Sequence, residues 1–488
     1  MNTPLAKLGA QLSPLALALT LAFPLGAAAA SKPAAKPSHE HMQAEIDQLK
    51  MELAELKKMV MQKAATPAPV VVQAPPPPAP APVAMVDPVE FNRIKVKVEA
   101  MEDTQESSGL KGFKVSGILD GAYIFNQRAH RGSLMFLNNQ DGGETNDLTQ
   151  DGWGYDNSNF GGVSIKFEKE LSGGVMSMLS LRPRKSATGT GVPNIVEEAT
   201  LTIPLPERMF AVVGKLISFN GYEYADAFQN KSITHNLLWD FGGPSFITGA
   251  GLNFTVSGVA FKTMLGNLNS YRDLPGDNNS GLHWRGDVTL GEFSGWGASG
   301  MHGKLYGQRY NYAEADYWYT RGDLTVNAQL EVSRHRNGAF NGGDASHTGA
   351  SALVAYRLSP EWEAHIRGDW LSNAKNGGGN PAILIGGLCP DDGTGTATLA
   401  TTCGDYRNGF GPGVVFNGTS GLWELGDINR GTKRTALTLG MNYQFHDNGL
   451  VKFEYRYDHS DLNSFVDQKD GSYRKSNSVF GVQTVLKF

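Results

Sequence analysis

The last thirteen residues, "SNSVFGVQTVLKF" (476–488), decide how the chain is read. In an extended segment Phe480, Val482, Thr484, Leu486 and Phe488 share one face, while Gly481, Gln483, Val485 and Lys487 take the other. A chain that ends on Phe in such a pattern predicts a strand with one apolar side toward lipid. Both of its edges then need partners, because unpaired backbone cannot face hydrocarbon.

The same period of two runs back to residue 113. In "FKVSGILDGAYIFN" (113–126), Phe113, Val115, Leu119, Tyr123 and Phe125 oppose Lys114, Ser116, Asp120 and Asn126. Comparable segments recur near 159–169, 174–184, 195–203, 209–216, 245–255, 257–265, 281–290 and 293–303. Others follow near 314–321, 324–336, 347–358, 361–371, 433–445, 449–457 and 477–488, about 16 in all. Short turns such as "PLPER", "TRGD" and "FHDNG" alternate with long polar connections. That alternation predicts an all-β membrane protein, an antiparallel transmembrane barrel over 113–488 with short turns on one rim and long loops on the other.

The polar faces are charged. "LVKFEYRYD" alternates Lys452, Glu454 and Arg456 with aromatic and aliphatic residues, and "EWEAHIRGDW" does so with Glu363, Arg367 and Asp369. Against lipid each Arg or Lys near the midplane would cost about 2–4 kcal/mol, so these side chains are expected to line an aqueous lumen. Arg182, Arg285, Asp287 and Glu331 extend the expected lining. It carries both signs, so ion preference does not follow from the count. "RGD" recurs at Arg285, Arg321 and Arg367; alternation along a strand, or a tight turn, accounts for it better than an adhesive motif.

Composition agrees. There are 59 glycines and 47 aromatic residues (23 Phe, 16 Tyr, 8 Trp), while Asp and Glu (48) slightly outnumber Lys and Arg (43). The balance argues against a nucleic-acid partner that needs a basic surface. After the N-terminus no apolar run reaches the length of a spanning helix.

The opening 1–30, cationic at Lys7, apolar from Leu12 to Leu25 and small at Ala28 and Ala30, reads as a signal peptide. Residues 38–63 place Met42, Ile46, Leu49, Leu53, Leu56 and Val60 on a heptad seam: a short coiled coil that would suit a homotrimer, or an amphipathic helix lying on another surface. A Pro/Ala-rich linker follows at 64–87. A second helix is expected over 88–106, with Asp87 as cap and Pro88 at its first position. Cys389 and Cys403 share one long connection, and in an exported protein they predict a disulfide worth roughly 3 kcal/mol.

The connection at 217–244 is rich in aromatic and charged groups. Glu223, Asp226, Lys231 and His235 make it a candidate for a loop that folds into the lumen and narrows it. No catalytic, metal or cofactor site is expected: serines and histidines lack a local motif, and "GTGTGVPN" lacks the Lys-Ser/Thr of a phosphate loop. The segment ahead of the barrel is too short and proline-rich for the plug of a gated receptor. A tether spanning to the cell wall, or a gated substrate-specific channel, stays open beside a channel for passive diffusion of small hydrophilic solutes or ions.

"FNRIKVKVEAMEDTQESSGLKGFKVSGILDGAYIFN", "YDNSNFGG", "GYEYADAFQNKSITHNLLWDF" and "FITGAGLNF" together resemble a domain-of-unknown-function family of Gram-negative porins, akin to OmpL-like barrels. The resemblance implies an outer-membrane site, with N-terminal helices in the periplasm, and a porin role among outer-membrane lipids. It supplies no solute and no functional residues. The terminal Phe480, Val482, Leu486 and Phe488 also resemble the signal read by the barrel assembly machinery.

Overall fold

The computed structural model describes residues 112–136, 161–182, 195–242, 246–267, 280–305, 307–378, 411–467 and 469–488, with Arg93 and residues 95–97. Those last four are helical. The expected signal peptide, coiled coil, Pro-rich linker, the rest of the second helix, and Cys389 and Cys403 lie outside the described residues.

Among the described residues, twenty-one strands follow in chain order. They are β1 Phe113–Asn126, β2 Arg131–Met135, β3 Val163–Glu170, β4 Met176–Leu181, β5 Val196–Leu205, β6 Met209–Ile217 and β7 Phe246–Val256. Next come β8 Val259–Asn267, β9 Ser280–Leu290, β10 Ser294–Leu305, β11 Gln308–Arg321, β12 Leu324–His335, β13 Ala345–Arg357 and β14 Trp362–Ser372. The last are β15 Val414–Asn417, β16 Leu422–Leu425, β17 Lys433–His446, β18 Gly449–Ser460, β19 Phe465–Val466, β20 Tyr473–Arg474 and β21 Ser476–Lys487.

Sixteen of them, β1, β3–β14, β17, β18 and β21, form a closed antiparallel ring, each paired with its neighbours in sequence order. The remaining five are short arms in the connections. Closure comes from β1: Ile118–Asn126 pair with β21, while its other edge is shared, Phe113–Leu119 with β3 and Ala122–Asn126 with β2. The terminal residue takes part. Gly117 and Phe488 exchange both backbone hydrogen bonds, at 2.8 and 2.9 Å, and the Phe488 ring lies where a Cβ on Gly117 would stand. Only glycine leaves that seat open.

Alternation is visible in exposure. Along β21, Val479, Gly481, Gln483 and Val485 are buried and Phe480, Thr484 and Leu486 exposed. Along β18, Lys452, Glu454, Arg456 and Asp458 are buried and Phe453, Tyr455, Tyr457 and His459 exposed. The barrel is therefore apolar outside and charged inside, the reverse of a soluble sheet protein.

Two features differ most from expectation. β11 begins at Gln308 instead of 314, because β10 and β11 join through residues 306–307 alone, a tight turn on the rim where long loops were expected. The arms β2, β15, β16, β19 and β20 are too short to show a period of two.

Candidate channel interior

The connection from β6 to β7 bonds to the charged inner faces of strands well around the ring. Near its start Arg285 of β9 donates to the Phe219 carbonyl at 3.1 Å, and the Gly221 amide donates to Glu314 of β11 at 2.5 Å. Gly221 has a positive φ of 73° and packs on Gln329, so a side chain there would be strained and crowded. Tyr222 hydrogen-bonds Ser351 of β13 at 2.7 Å.

The middle of the loop is held by β14 and β18. Arg367 donates to Glu223 at 3.0 Å, to the Thr234 carbonyl at 2.7 Å and to the His235 carbonyl at 2.8 Å. Arg456 adds a bond to the His235 carbonyl at 2.8 Å. Lys452 reaches the carbonyls of Ala227 and Asn230, both at 2.6 Å. Glu454 accepts from the Ile233 amide and the Thr234 hydroxyl, both at 2.5 Å. Lys231 pairs with Glu363 at 2.7 Å, and Asp226 pairs with Arg182 just beyond β4.

The loop's own backbone donors and acceptors are thus satisfied by side chains of the wall, as burial requires. At its far end Asn236 caps a short helix, Leu237–Gly242, accepting from the Trp239 amide at 2.7 Å. Leu237, Leu238 and Phe241 of that helix form an apolar cluster with Leu371 of β14 and Ala436 of β17. Tyr310 of β11 closes the segment with a bond to the Gly242 carbonyl at 3.0 Å.

Burial sets the protonation of the loop's groups. It raises the Glu223 carboxyl to about 7 despite the opposing Arg367 guanidinium. It also pushes the His235 imidazole down to about 3, although the Tyr224 carbonyl at 2.8 Å favours its charged form. His235 is therefore neutral at pH 7.

The ten residues expected to line the pore separate into groups. Arg367, Asp369, Lys452, Glu454 and Arg456 are buried. Four of the five bond the loop directly; Asp369 orients Arg367 at 3.2 Å. Arg285 and Glu331 are also covered: Arg285 pairs with Asp316 at 2.7 Å, and Glu331 lies 3.0 Å from the Tyr312 hydroxyl and 3.1 Å from His347. Arg182 sits between Asp226 and Asp120. Asp287 and Glu363 keep substantial exposure, with side chains 33% and 16% open. Of the four loop residues, Glu223, Asp226 and His235 are buried and Lys231 is one-third open. Eight of the ten are thus shielded within the barrel: Arg285, Arg367, Lys452, Glu454 and Arg456 bond loop backbone, and Arg182, Glu331 and Asp369 meet side chains.

Phe480, Leu486 and Phe488 are exposed on the outer side, with Val482 half-buried beside them. Both strand-borne "RGD" runs resolve as in-strand pairs, Arg285 with Asp287 at 2.8 Å and Arg367 with Asp369.

Sequence reasoning missed Tyr310, Tyr312, Glu314 and Asp316, which are buried on the inner face of β11. Glu314 accepts from Ser299 and Gln329, each at 2.7 Å. Their alternation in "RYNYAEADYWY" is plain, but two tyrosines in step look lipid-facing, and the expected strand starts after them, at 314.

A closed sixteen-stranded ring, apolar outside and charged inside, with one connection bonded to its inner wall, defines an outer-membrane β-barrel of porin type. Residues 112–488 match the family described as "Putative beta-barrel porin-2, OmpL-like", and the chain belongs to that family. No curated protein matches it. Among solved structures it is similar to OmpT, an outer membrane protein of Vibrio cholerae, at 10% identity and a TM-score of 0.45, covering 77% of this chain and 97% of that one. The outer membrane channel DcaP of Acinetobacter baumannii gives 11%, 0.46, 77% and 97%. An anion-selective porin from Comamonas acidovorans gives 10%, 0.44, 77% and 99%.

Proposed function

We propose that this outer-membrane porin passes small hydrophilic solutes or ions by diffusion through a water-filled lumen, and that the loop between β6 and β7 forms its constriction. The observation that carries this is the bonding of one connection to the inner faces of β9, β11, β13, β14 and β18. A segment held at those points crosses part of the cross-section instead of standing above the rim. Water in the lumen removes the desolvation cost of a polar solute, and charge beside the narrowest point biases which solutes enter. Since the buried wall charges are neutralised against the loop or against one another, the groups left to act include the partly open Lys231, Glu363, Asp287, Lys166 and Glu168.

Single-channel conductance of the purified protein in a planar bilayer, with reversal potential under a salt gradient, tests this. Stable open steps are expected, and folded protein without steps would refute the open channel. The heptads at 38–63 support a homotrimer joined at its N-terminus, and with the Pro-rich segment they support a second role as a periplasmic tether to the cell wall.

A further inference from the structure

The outer wall of β7–β12 carries, at the rim of the long connections, a feature that diffusion through the lumen does not use. The register places Leu265, Leu282, His302, Asn311 and Arg334 in one row across β8–β12. Leu265 is 67% exposed, so this row faces outward. One step nearer the rim, Lys304 lies directly opposite Arg309. The Arg336 amide donates to the Arg309 carbonyl at 2.9 Å, which sets a third cation beside them.

Lys304, Arg309 and Arg336 are all exposed, and none makes an ion pair among the described residues; the neighbouring Arg334 pairs with Asp344 at 2.7 Å. Like charges directly opposite on adjacent strands repel. Three abreast are stabilised by an anion that bridges them.

A second observation is shape. The outer surface is concave here, a recess of about 1020 Å³ whose lining includes Asn267, Ser280, His302, Lys304, Arg309 and Asn311. The inward-facing neighbours Met264, His283, Met301 and Tyr310 do not line it, so it opens on the outside of the barrel. The tight β10–β11 turn leaves no long connection from those strands to cover it.

Directly below, the outward positions turn apolar: Ala298 and Ala315 are register partners, as are Gly300 and Ala313, and the Trp284 ring of β9 lies over Gly300 as one wall of a furrow. Leu330 and Val332 of β12 stand beside them, 59% and 52% exposed. Cations above a shallow apolar furrow match a molecule with phosphate at one end and acyl chains at the other.

We propose that this face binds an acylated, phosphorylated glycolipid of the outer leaflet, with Lys304, Arg309 and Arg336 on its phosphates and an acyl chain along the furrow. Each surface cation contributes about fivefold to attraction of an anionic headgroup, so the three together give about a hundredfold.

The test measures, by native mass spectrometry from mixed micelles, retention of a bisphosphorylated hexa-acyl disaccharide lipid and of its dephosphorylated form. The full chain should retain the phosphorylated lipid about a hundredfold better than K304Q/R309Q/R336Q, and the dephosphorylated lipid should bind the full chain as weakly as the variant binds the phosphorylated one. Millimolar inorganic phosphate should fail to displace the lipid. Single variants K304Q and R309Q, each about fivefold weaker, keep the test open if the triple variant does not fold. Equal retention by variants and full chain, equal binding of the dephosphorylated lipid, or displacement by free phosphate would each overturn the assignment. Conductance should be unchanged in all variants, so the outcome is separate from that of the channel reading.

Discussion

Replacing Arg367 with alanine should release the loop between β6 and β7 from the wall. Arg367 is fully buried and gives hydrogen bonds to Glu223, Thr234 and His235 of the loop and to Asp369 and Thr438 of the wall. Removing one member of a buried ion pair typically costs about 3–5 kcal/mol, because the partner charge is stranded. Some of that is recovered here. Glu223 keeps the Asn236 amide at 2.7 Å, His235 keeps Arg456, and Asp369 keeps Ser351 at 2.7 Å. The Thr234 carbonyl loses the Arg367 donor, its one strong donor among the described residues, which adds about 1 kcal/mol. A net loss of about 3 kcal/mol shifts the docking equilibrium roughly 150-fold. Trypsin cleavage after Lys231, followed on detergent-folded barrels by the size of the N-terminal fragment, reads that equilibrium when opening is fast relative to cutting. Cleavage should accelerate by about two orders of magnitude in R367A, and open-channel current should become noisier. If cleavage at Lys231 is unchanged while the barrel stays heat-modifiable, the apolar cluster of Leu237, Leu238, Phe241, Leu371 and Ala436 holds the loop, and the polar argument is wrong.

Three other perturbations bear on separate parts of the molecule. Deleting Phe488, or filling its seat with Gly117→Val, should lower the yield of heat-modifiable barrel several-fold, since both disturb the closing pair; normal yield on semi-native gels would show that closure does not depend on it. Acid should loosen the loop through His235. Its imidazole is depressed to about 3 when buried, so the stability it contributes is present above the ordinary value of 6.5 and lost as pH falls below it. That loss reaches about 2 kcal/mol at pH 5. Glu223, raised to about 7, opposes this by taking up a proton in the docked loop over the same range, so the check is the difference: from pH 6.5 to 5 cleavage after Lys231 should increase in the full chain relative to H235N, and parallel profiles would refute the assignment. Deleting residues 38–63 should weaken oligomers on mild gels and leave conductance intact; unchanged oligomers would place the contact in the barrel wall.

The barrel was legible because its rule is local. Each strand such as Lys452–Asp458 displays its two faces in its own sequence, and a closed sheet follows from counting those displays. The same rule failed on β11, where the inner-face residues Tyr310 and Tyr312 have the chemistry of outer-face ones. Their hydroxyls find Gly242 and Glu331, partners 68 and 19 residues away that no periodicity could supply. The interior was half legible for a related reason. Alternation states that Arg367 and Lys452 point inward, but not what they meet there. Water or a folded loop satisfies a guanidinium equally well on paper, and only the carbonyls of Ala227, Asn230, Thr234 and His235, invisible in any side-chain pattern, settle that these cations bind backbone. Charge counted along strands therefore overstates the charge available to a passing ion. In the proposed channel a pair such as Lys231 and Glu363, one-third and one-sixth open, should bear on selectivity more than the fully buried Arg367, Arg434 and Arg456, whose charge is spent on holding the interior in place.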